Sequence, residues 1–228
     1  KLKPSVEDKV EKIILHKKKY LKINNDSYIP GKARRLEDAS GRYSEFLKST
    51  LSKKLNKKKL KIVLDCANGA TYNIAPNLFW ELGHKVITIN NNPNGININK
   101  KCGAVDTLQL SQKVLQQKAD IGFAFDGDGD RIIVVDEKGS EIDGDKIIAL
   151  FCKNLIKQKT NTNIKNYDVI ITIMSNMGLE KYLKNKLKLK IKRTSVGDIN
   201  VINEMKKSKS YIGGEQSGHI IMSKFSNS

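Results

Sequence analysis

Six consecutive residues, Asp126-Gly127-Asp128-Gly129-Asp130-Arg131, carry the densest chemistry in this sequence. Three carboxylates at alternate positions, separated only by glycine, offer the hard oxygen ligands that suit Mg²⁺ or Ca²⁺. The glycines leave the loop unobstructed and free to take unusual dihedrals. Arg131 follows at once, a fixed cation able to grip phosphate beside a metal. A plain hairpin turn is one competing reading, because Asp-Gly pairs favour tight turns. An EF-hand loop is another. Asp126, Asp128, Asp130 and Glu137 fall at its acidic positions, but Arg131 stands where that loop needs glycine, and the flanks read as strands rather than helices. A Mg²⁺–phosphate site is the favoured reading.

The second chemical run is Gly213-Gly214-Glu215-Gln216-Ser217-Gly218-His219. Its glycines would let a ligand approach the backbone closely. In an extended loop Glu215, Ser217 and His219 point the same way. A carboxylate and a hydroxyl on one side can grip adjacent sugar hydroxyls, and His219 could exchange protons or contact phosphate. A glycine-rich turn with a structural histidine is the alternative. In Ser195-Val196-Gly197-Asp198, Asp198 could cap a helix or face a ligand, and both readings stay open. Asp65–Tyr72 lacks the lysine of a P-loop and the spacing of a dinucleotide fingerprint, so it reads as a tight strand-to-helix turn. His16 and His84 have no partner motif and read as structural or exposed.

The elements that must position these runs follow from the apolar rhythm. Residues 5–24 have helical spacing at Val6, Val10, Ile13, Ile14 and Leu21, broken from Asn24 to Gly31. A second helix is expected over Arg34–Leu51. Then come a strand at Ile62–Leu64, a helix at Tyr72–Leu82 ending at Gly83, a strand at Val86–Ile89 and a long polar loop over Asn90–Gly103. A helix at Leu108–Lys118 leads to a strand at Ile121–Phe125, and Ile132–Val135 returns antiparallel. Past Glu141 the spacing predicts a helix at Asp145–Lys157, a polar connection over Lys157–Asn166, a strand at Asp168–Ile173 and a helix to about Lys186. A strand at Leu187–Lys192, a short helix near Ile199–Lys206 and strands at Ser210–Ile212 and Ile220–Met222 complete the pattern. This alternation argues for an α/β fold: two consecutive three-layer α/β units with mixed, mainly parallel sheets, preceded by N-terminal helices. The chain stops as if cut from something longer, and no repeat of 20–50 residues is evident.

Composition narrows the class. At 228 residues the chain can bury a proper core. No stretch has the apolar length of a membrane span, and the first residues lack the apolar segment of a signal peptide. Cys66, Cys102 and Cys152 are odd in number and widely spaced, which argues against a disulfide framework and suits the cytoplasm. The net charge of +18 invites a nucleic-acid reading. Nearly all of it is lysine spread along the whole chain, with Arg only at 34, 35, 42, 131 and 193 and no aromatic stacking motif beside the basic runs. The lysine-rich stretch Lys53–Lys61 reads as a solvated helix end or loop, and the general charge favours anionic substrates.

Taken together, the motifs resemble the α-D-phosphohexomutases. Asp126–Arg131 looks like that family's metal loop and Gly214–His219 like its sugar-binding loop, in the right order. The phrases Asp65–Tyr72, Pro93–Asn99 and Ser175–Glu180 fit too, as do Gly41-Arg42-Tyr43 and Phe46–Ser49. Gln216 resembles the branch acting on glucosamine phosphates, since phosphomannomutase-type members usually carry Met there. The resemblance covers nearly the whole chain. It implies the tail of a first domain at 1–40, a second domain with the metal loop at 41–140 and a third with the sugar loop at 141–228. A first-domain phosphoserine loop and a fourth-domain phosphate loop have no counterpart here. What it implies chemically is Mg²⁺ held by Asp126, Asp128 and Asp130, with Arg131 and His219 in catalysis. A phosphosugar would be held by Glu215, Ser217, His219 and Asp198, and phosphate would pass through a serine outside this sequence. Alternatives are a phosphomannomutase or phosphoglucomutase of the same family, and a non-catalytic divalent-metal module. One departure stands out: the usual Val-Gly-Asp-Arg-Tyr is Val196-Gly197-Asp198-Ile199-Asn200 here, so a basic side chain expected beside phosphate or sugar is missing.

Overall fold

The computed structural model describes residues 2–15, 31–51, 58–157, 168–223 and 225. The expected helical turns beyond residue 15, the break over 24–30, most of the lysine-rich stretch, the connection over 158–166 and His16 lie outside the described residues.

The chain divides into two compact units, Lys1–Ala39 and Ser40–Ser228. The first carries helix α1 (Pro4–Leu15), with Val6, Val10, Ile13 and Ile14 at helical spacing. Residues 31–36 take no regular structure, and helix α2 begins at Ala39 and ends at Ser49 rather than spanning Arg34–Leu51. Arg34 and Arg35 put positive charge where a helix N-terminus disfavours it. At the other end the Ser49 and Thr50 hydroxyls donate to the Phe46 and Leu47 carbonyls and help close the helix.

The second unit holds two sheets. The first contains β1 (Lys61–Asp65), β2 (Lys85–Ile89), β3 (Ile121–Phe125), β4 (Ile132–Asp136) and β5 (Glu141–Ile142), in the order β2-β1-β3-β4-β5. β1 runs parallel to both β2 and β3, whereas β4 and β5 return antiparallel. Helix α3 (Ile74–Glu81) and helix α4 (Leu108–Gln117) cover the two faces. Ile62, Leu64, Cys66 and Ala75 form one core layer, and Val63, Leu110, Val114, Ala119, Ala124, Ile133 and Val135 form the other. β1 is buried on both faces because it is central, and its unbroken apolar run reflects that. Gly122 lets α4 close on β3, since a Cβ there would stand 2.7 Å from the Val114 side chain. The expected helix over Tyr72–Leu82 divides into a 3₁₀ turn at Ala70–Tyr72 and α3 proper.

The second sheet has the order β7-β6-β8-β9, from β6 (Asp168–Thr172), β7 (Lys190–Thr194), β8 (Ile212–Gly214) and β9 (Ile220–Met222). β6 is parallel to β7 and β8, and β9 pairs antiparallel with β8. Alternation along β6 sends Val169 and Ile171 to one core with Ile148, Cys152, Leu179 and Leu183, and Ile170 to another with Val201 and Met205. Helix α5 (Gly144–Lys157) and helix α6 (Met177–Lys181) serve the first layer, and helix α7 (Asp198–Ser208) the second. Leu183 is fully buried, so truncation to Ala should cost about 2–5 kcal/mol. Three expectations shift here. The helix toward Lys186 is α6 followed by a π turn at Tyr182–Lys186. The strand expected over Leu187–Lys192 lies at Lys190–Thr194, because Lys188 takes a left-handed φ of 57° that a strand cannot contain. The strand expected at Ser210–Ile212 is Ile212–Gly214, while the Ser210 hydroxyl donates to the Asp168 and Ile212 carbonyls.

Candidate functional site

The acidic loop joins β3 to β4, and ladder pairing of Phe125 with Ile132 clamps both ends. Carboxylate oxygens of Asp126, Asp128 and Asp130 lie within 4.8 Å of one another. Asp126 is buried, whereas Asp128 and Asp130 are exposed. Burial pushes the Asp126 carboxyl above its ordinary value, and the neighbouring Asp130 and Asp128 charges add to this, against the Arg131 N–H that donates to Oδ1 at 3.1 Å. Arg131 Nε stands 3.6 Å from Asp126 Oδ2 and 3.8 Å from Asp130 Oδ1. Three crowded oxygens with one guanidinium beside them are a donor set that fits a hard divalent cation.

Close backbone contacts fix the loop from below. Ala70 N donates to Gly127 O at 2.8 Å, and a Cβ at Gly127 would meet the Ile98 side chain at 2.6 Å. Gly127 is therefore demanded by packing as much as by any ligand.

The second loop, Glu215–His219, is a hairpin connection between β8 and β9, not the extended segment that strict alternation requires. Glu215 N donates to His219 O at 2.9 Å and Gly218 N to Glu215 O at 3.1 Å. Its glycines admit protein rather than ligand. A Cβ at Gly213 would stand 2.6 Å from Met205 Sδ, one at Gly214 2.7 Å from His219 O, and one at Gly218 2.3 Å from Ile132 O. This hairpin is tied to the start of β4. Ile132 N donates to Gly218 O at 3.1 Å, and Arg131 and His219 form an antiparallel bridge. His219 Nδ1 thereby comes to 3.2 Å from Asp130 Oδ2. Gly144 N also donates to Gln216 O at 3.0 Å, so the start of α5 holds the hairpin from its other side.

Between the two sheets lies a cleft of about 500 Å³ whose walls include Arg131, Glu141, Asp143, Thr172, Glu215 and Ser217. Of the residues singled out by sequence, Arg131, Glu215 and Ser217 share this cleft, while His219 and the acidic triad adjoin it through Arg131 and Asp130. Asp198 does not line it. It opens α7, where a carboxylate complements the helix N-terminus, and Val196 takes the place on the wall. Where a basic side chain was expected stands Ile199, exposed on α7, and next to it Asn200 Nδ2 donates to Val196 O at 2.9 Å and ties the loop to itself. Glu215 Oε1 accepts from Gly197 N at 2.9 Å, so this carboxylate also fastens the Val196–Asp198 loop.

Sequence reasoning missed four carboxylates. Glu141 and Asp143 line the cleft, and Asp143 Oδ1 caps α5 by accepting from Lys146 N at 3.0 Å. The Asp143-Gly144 pair before an apolar helical run was the available signal. Asp65 and Asp145 are buried inside the fold, and nothing in their local sequence marks them as such.

Residues 41–139 match the family described as phosphoglucomutase/phosphomannomutase, alpha/beta/alpha domain II, and residues 143–228 match alpha/beta/alpha domain III of the same family. The chain belongs to the phosphoglucomutase/phosphomannomutase family. It is 51% identical over 193 residues to the phosphoglucosamine mutase of Zymomonas mobilis, covering 85% of this chain and 42% of that protein. Its fold is similar to a phosphoglucomutase/phosphomannomutase family protein from Burkholderia thailandensis, with TM-score 0.78 and 20% identity over 99% of this chain and 46% of that one. It is also similar, with TM-score 0.53 and 25% identity, to Aspergillus fumigatus N-acetylphosphoglucosamine mutase in complex with GlcNAc-6P and magnesium, covering 73% of this chain and 37% of that one. The chain spans about half the length of the curated relatives it matches.

Proposed function

We propose that this chain is part of a phosphoglucosamine mutase, which interconverts glucosamine 6-phosphate and glucosamine 1-phosphate by phosphoryl transfer through a phosphoserine outside this sequence. One observation carries the reading: Arg131, Glu215 and Ser217 line a single cleft that adjoins three converging carboxylates. The relatives' names and the GlcNAc-6P and magnesium complex support the same substrate class and metal. The two α/β units correspond on this reading to the second and third of the enzyme's domains, at 41–140 and 141–228, with 1–40 the tail of the first.

Asp126, Asp128 and Asp130 would hold Mg²⁺, which when bound supplies neutralising charge to a phosphoryl oxygen. Arg131 steadies phosphate as a planar, permanently charged donor. Glu215 accepts from sugar hydroxyls through the oxygen that Gly197 leaves open, and Ser217 donates or accepts beside it. His219 stands where it can contact phosphate or move a proton. Phosphoryl transfer demands in-line placement more than covalent help, so holding the sugar between these groups is the larger part of the work. The three buried free cysteines suit a reducing cytoplasm.

Sugar competition on the complete enzyme tests this. Glucosamine 6-phosphate should be turned over in preference to glucose 6-phosphate and mannose 6-phosphate, and the 228-residue chain alone should be inactive. A preference for mannose or glucose phosphates would move the protein to another branch of the family. Metal binding with no turnover of any hexose phosphate would leave only a metal module.

A further inference from the structure

Asp65 ends β1 and is 0% exposed. Its carboxylate accepts hydrogen bonds from three separate segments. Oδ1 takes Ala67 N at 2.9 Å, and Oδ2 takes Gly103 N at 2.9 Å and Asn90 Nδ2 at 3.1 Å. No cation pairs with it among the described residues, and its burial disfavours the charged form. A desolvated carboxylate of this kind is costly to keep, so what its bonds hold in place is informative.

They hold the bed of the acidic loop. Ala67 and Asn68 both take left-handed backbone angles, with φ of 51° and 48°, which non-glycine residues adopt only when the surroundings impose them. The turn they form presents Ala70 N to Gly127 O, and a Cβ at Gly69 would stand 2.2 Å from that same oxygen. On the other side, a Cβ at Gly103 would stand 2.4 Å from Phe125 O and 2.5 Å from Ala67 Cβ. Phe125 and Gly127 flank Asp126, the buried member of the triad. Between Asp65 and the triad the contacts run mostly through backbone, with the short Ala67 and Asn90 side chains the exceptions.

We infer that Asp65 is a positioning residue for the metal loop: by clamping Ala67, Asn90 and Gly103 it sets the path of Phe125–Gly127, and so the convergence of Asp126, Asp128 and Asp130. The inference rests on the metal reading of the triad. Groups one step removed from metal ligands govern affinity by holding those ligands in register. Asn cannot replace Asp65, because in either orientation its NH₂ group would face an N–H donor.

Mn²⁺ titration of the 228-residue chain, followed by electron paramagnetic resonance, tests it. Asp128→Asn and Leu183→Ala serve as controls, the first for the triad and the second for general destabilisation in the other sheet. Asp65→Asn should weaken Mn²⁺ binding about tenfold, the scale for a group behind a metal ligand. Leu183→Ala should leave Mn²⁺ binding unchanged in whatever fraction remains folded. Should Asp65→Asn fail to fold, Asn90→Ala decides, since it removes one of the three donors from a half-buried side chain. It should weaken binding measurably, and wild-type affinity in that variant overturns the inference. So does wild-type affinity in a folded Asp65→Asn, or an equal loss in Leu183→Ala. Absence of Mn²⁺ binding to the unsubstituted chain overturns the metal reading itself. Binding lost in Asp128→Asn but kept in Asp65→Asn overturns this inference alone.

Discussion

In the β3–β4 loop three carboxylate oxygens lie within 4.8 Å of one another, beside the Arg131 guanidinium and His219 Nδ1. In the β8–β9 hairpin the single carboxylate, Glu215, already accepts a backbone N–H at 2.9 Å, and the hairpin is hydrogen-bonded to β4 and to the start of α5. The first loop is clamped in its backbone and crowds three carboxylates around few partners. The second is satisfied in backbone and side chain, with one carboxylate oxygen and one hydroxyl left facing the cleft. On the proposed reading, the first loop would hold a ligand and the second would align one.

The largest effect that could break this contrast lies in the acidic loop. Asp128→Asn in the complete enzyme should lower turnover about 10²–10³-fold, the scale for losing one preorganised electrostatic contact. In chelator its melting temperature should not fall, because the substitution relieves repulsion that no cation then offsets. A loss of melting temperature in chelator as large as the loss of activity would make the carboxylates structural, and the two loops would cease to differ.

Glu215→Ala sharpens the contrast from the other side. It should cost both stability and activity, because the same carboxylate holds Gly197 N and faces the cleft. About 1.5–3 kcal/mol is expected for the charged hydrogen bond. Turnover efficiency should fall about tenfold, the equivalent of 1.4 kcal/mol. Glu215→Gln, which keeps an acceptor for Gly197, should recover most of the melting temperature and less of the activity. Full recovery of both by Gln would reduce Glu215 to a fastener of the Val196–Asp198 loop.

What the sequence made legible divides along the same line. Asp126–Arg131 could be read because its chemistry is local: ligands, spacing and flanking strands all fall within a dozen residues. The plan of two three-layer α/β units could be read because apolar periodicity survives in β1, β3, β4, α4 and α5. The strand's limits were lost at Leu187–Lys192, where apolar residues and lysines alternate through Lys192 and nothing in the pattern marks that the strand starts only at Lys190. The hairpin's glycines were legible as special, but not why, since Met205 and Ile132 reach them from distant positions. Buried acids outside the acidic loop were illegible. Asp65 and Asp145 look like surface residues until the topology closes over them.

Asp145 gives the smallest and most diagnostic effect, because it separates burial from function. It lies in the first turn of α5, where Oδ2 accepts from Asn176 N at 2.6 Å while Oδ1 has no hydrogen-bond partner. Desolvation raises its pKa above 3.8, opposed by the Asn176 N–H and by a Ser175 hydroxyl that lies near but outside hydrogen-bond geometry. A carboxyl whose folded pKa is raised binds protons more tightly in the folded state. Its contribution to stability is therefore complete below the unfolded pKa and is lost as pH rises through the folded value. At neutral pH the protein carries the cost of a buried charge. Asp145→Asn keeps an acceptor for Asn176 N and removes that charge. Its melting temperature relative to the unsubstituted protein should rise as pH climbs out of the ordinary carboxylate range, with Mn²⁺ affinity unchanged. A difference that is flat with pH would show Asp145 to be solvated in its ionised form. Weakened Mn²⁺ binding would extend the metal loop's support across to the second sheet, and the division drawn between the two loops would have to be abandoned.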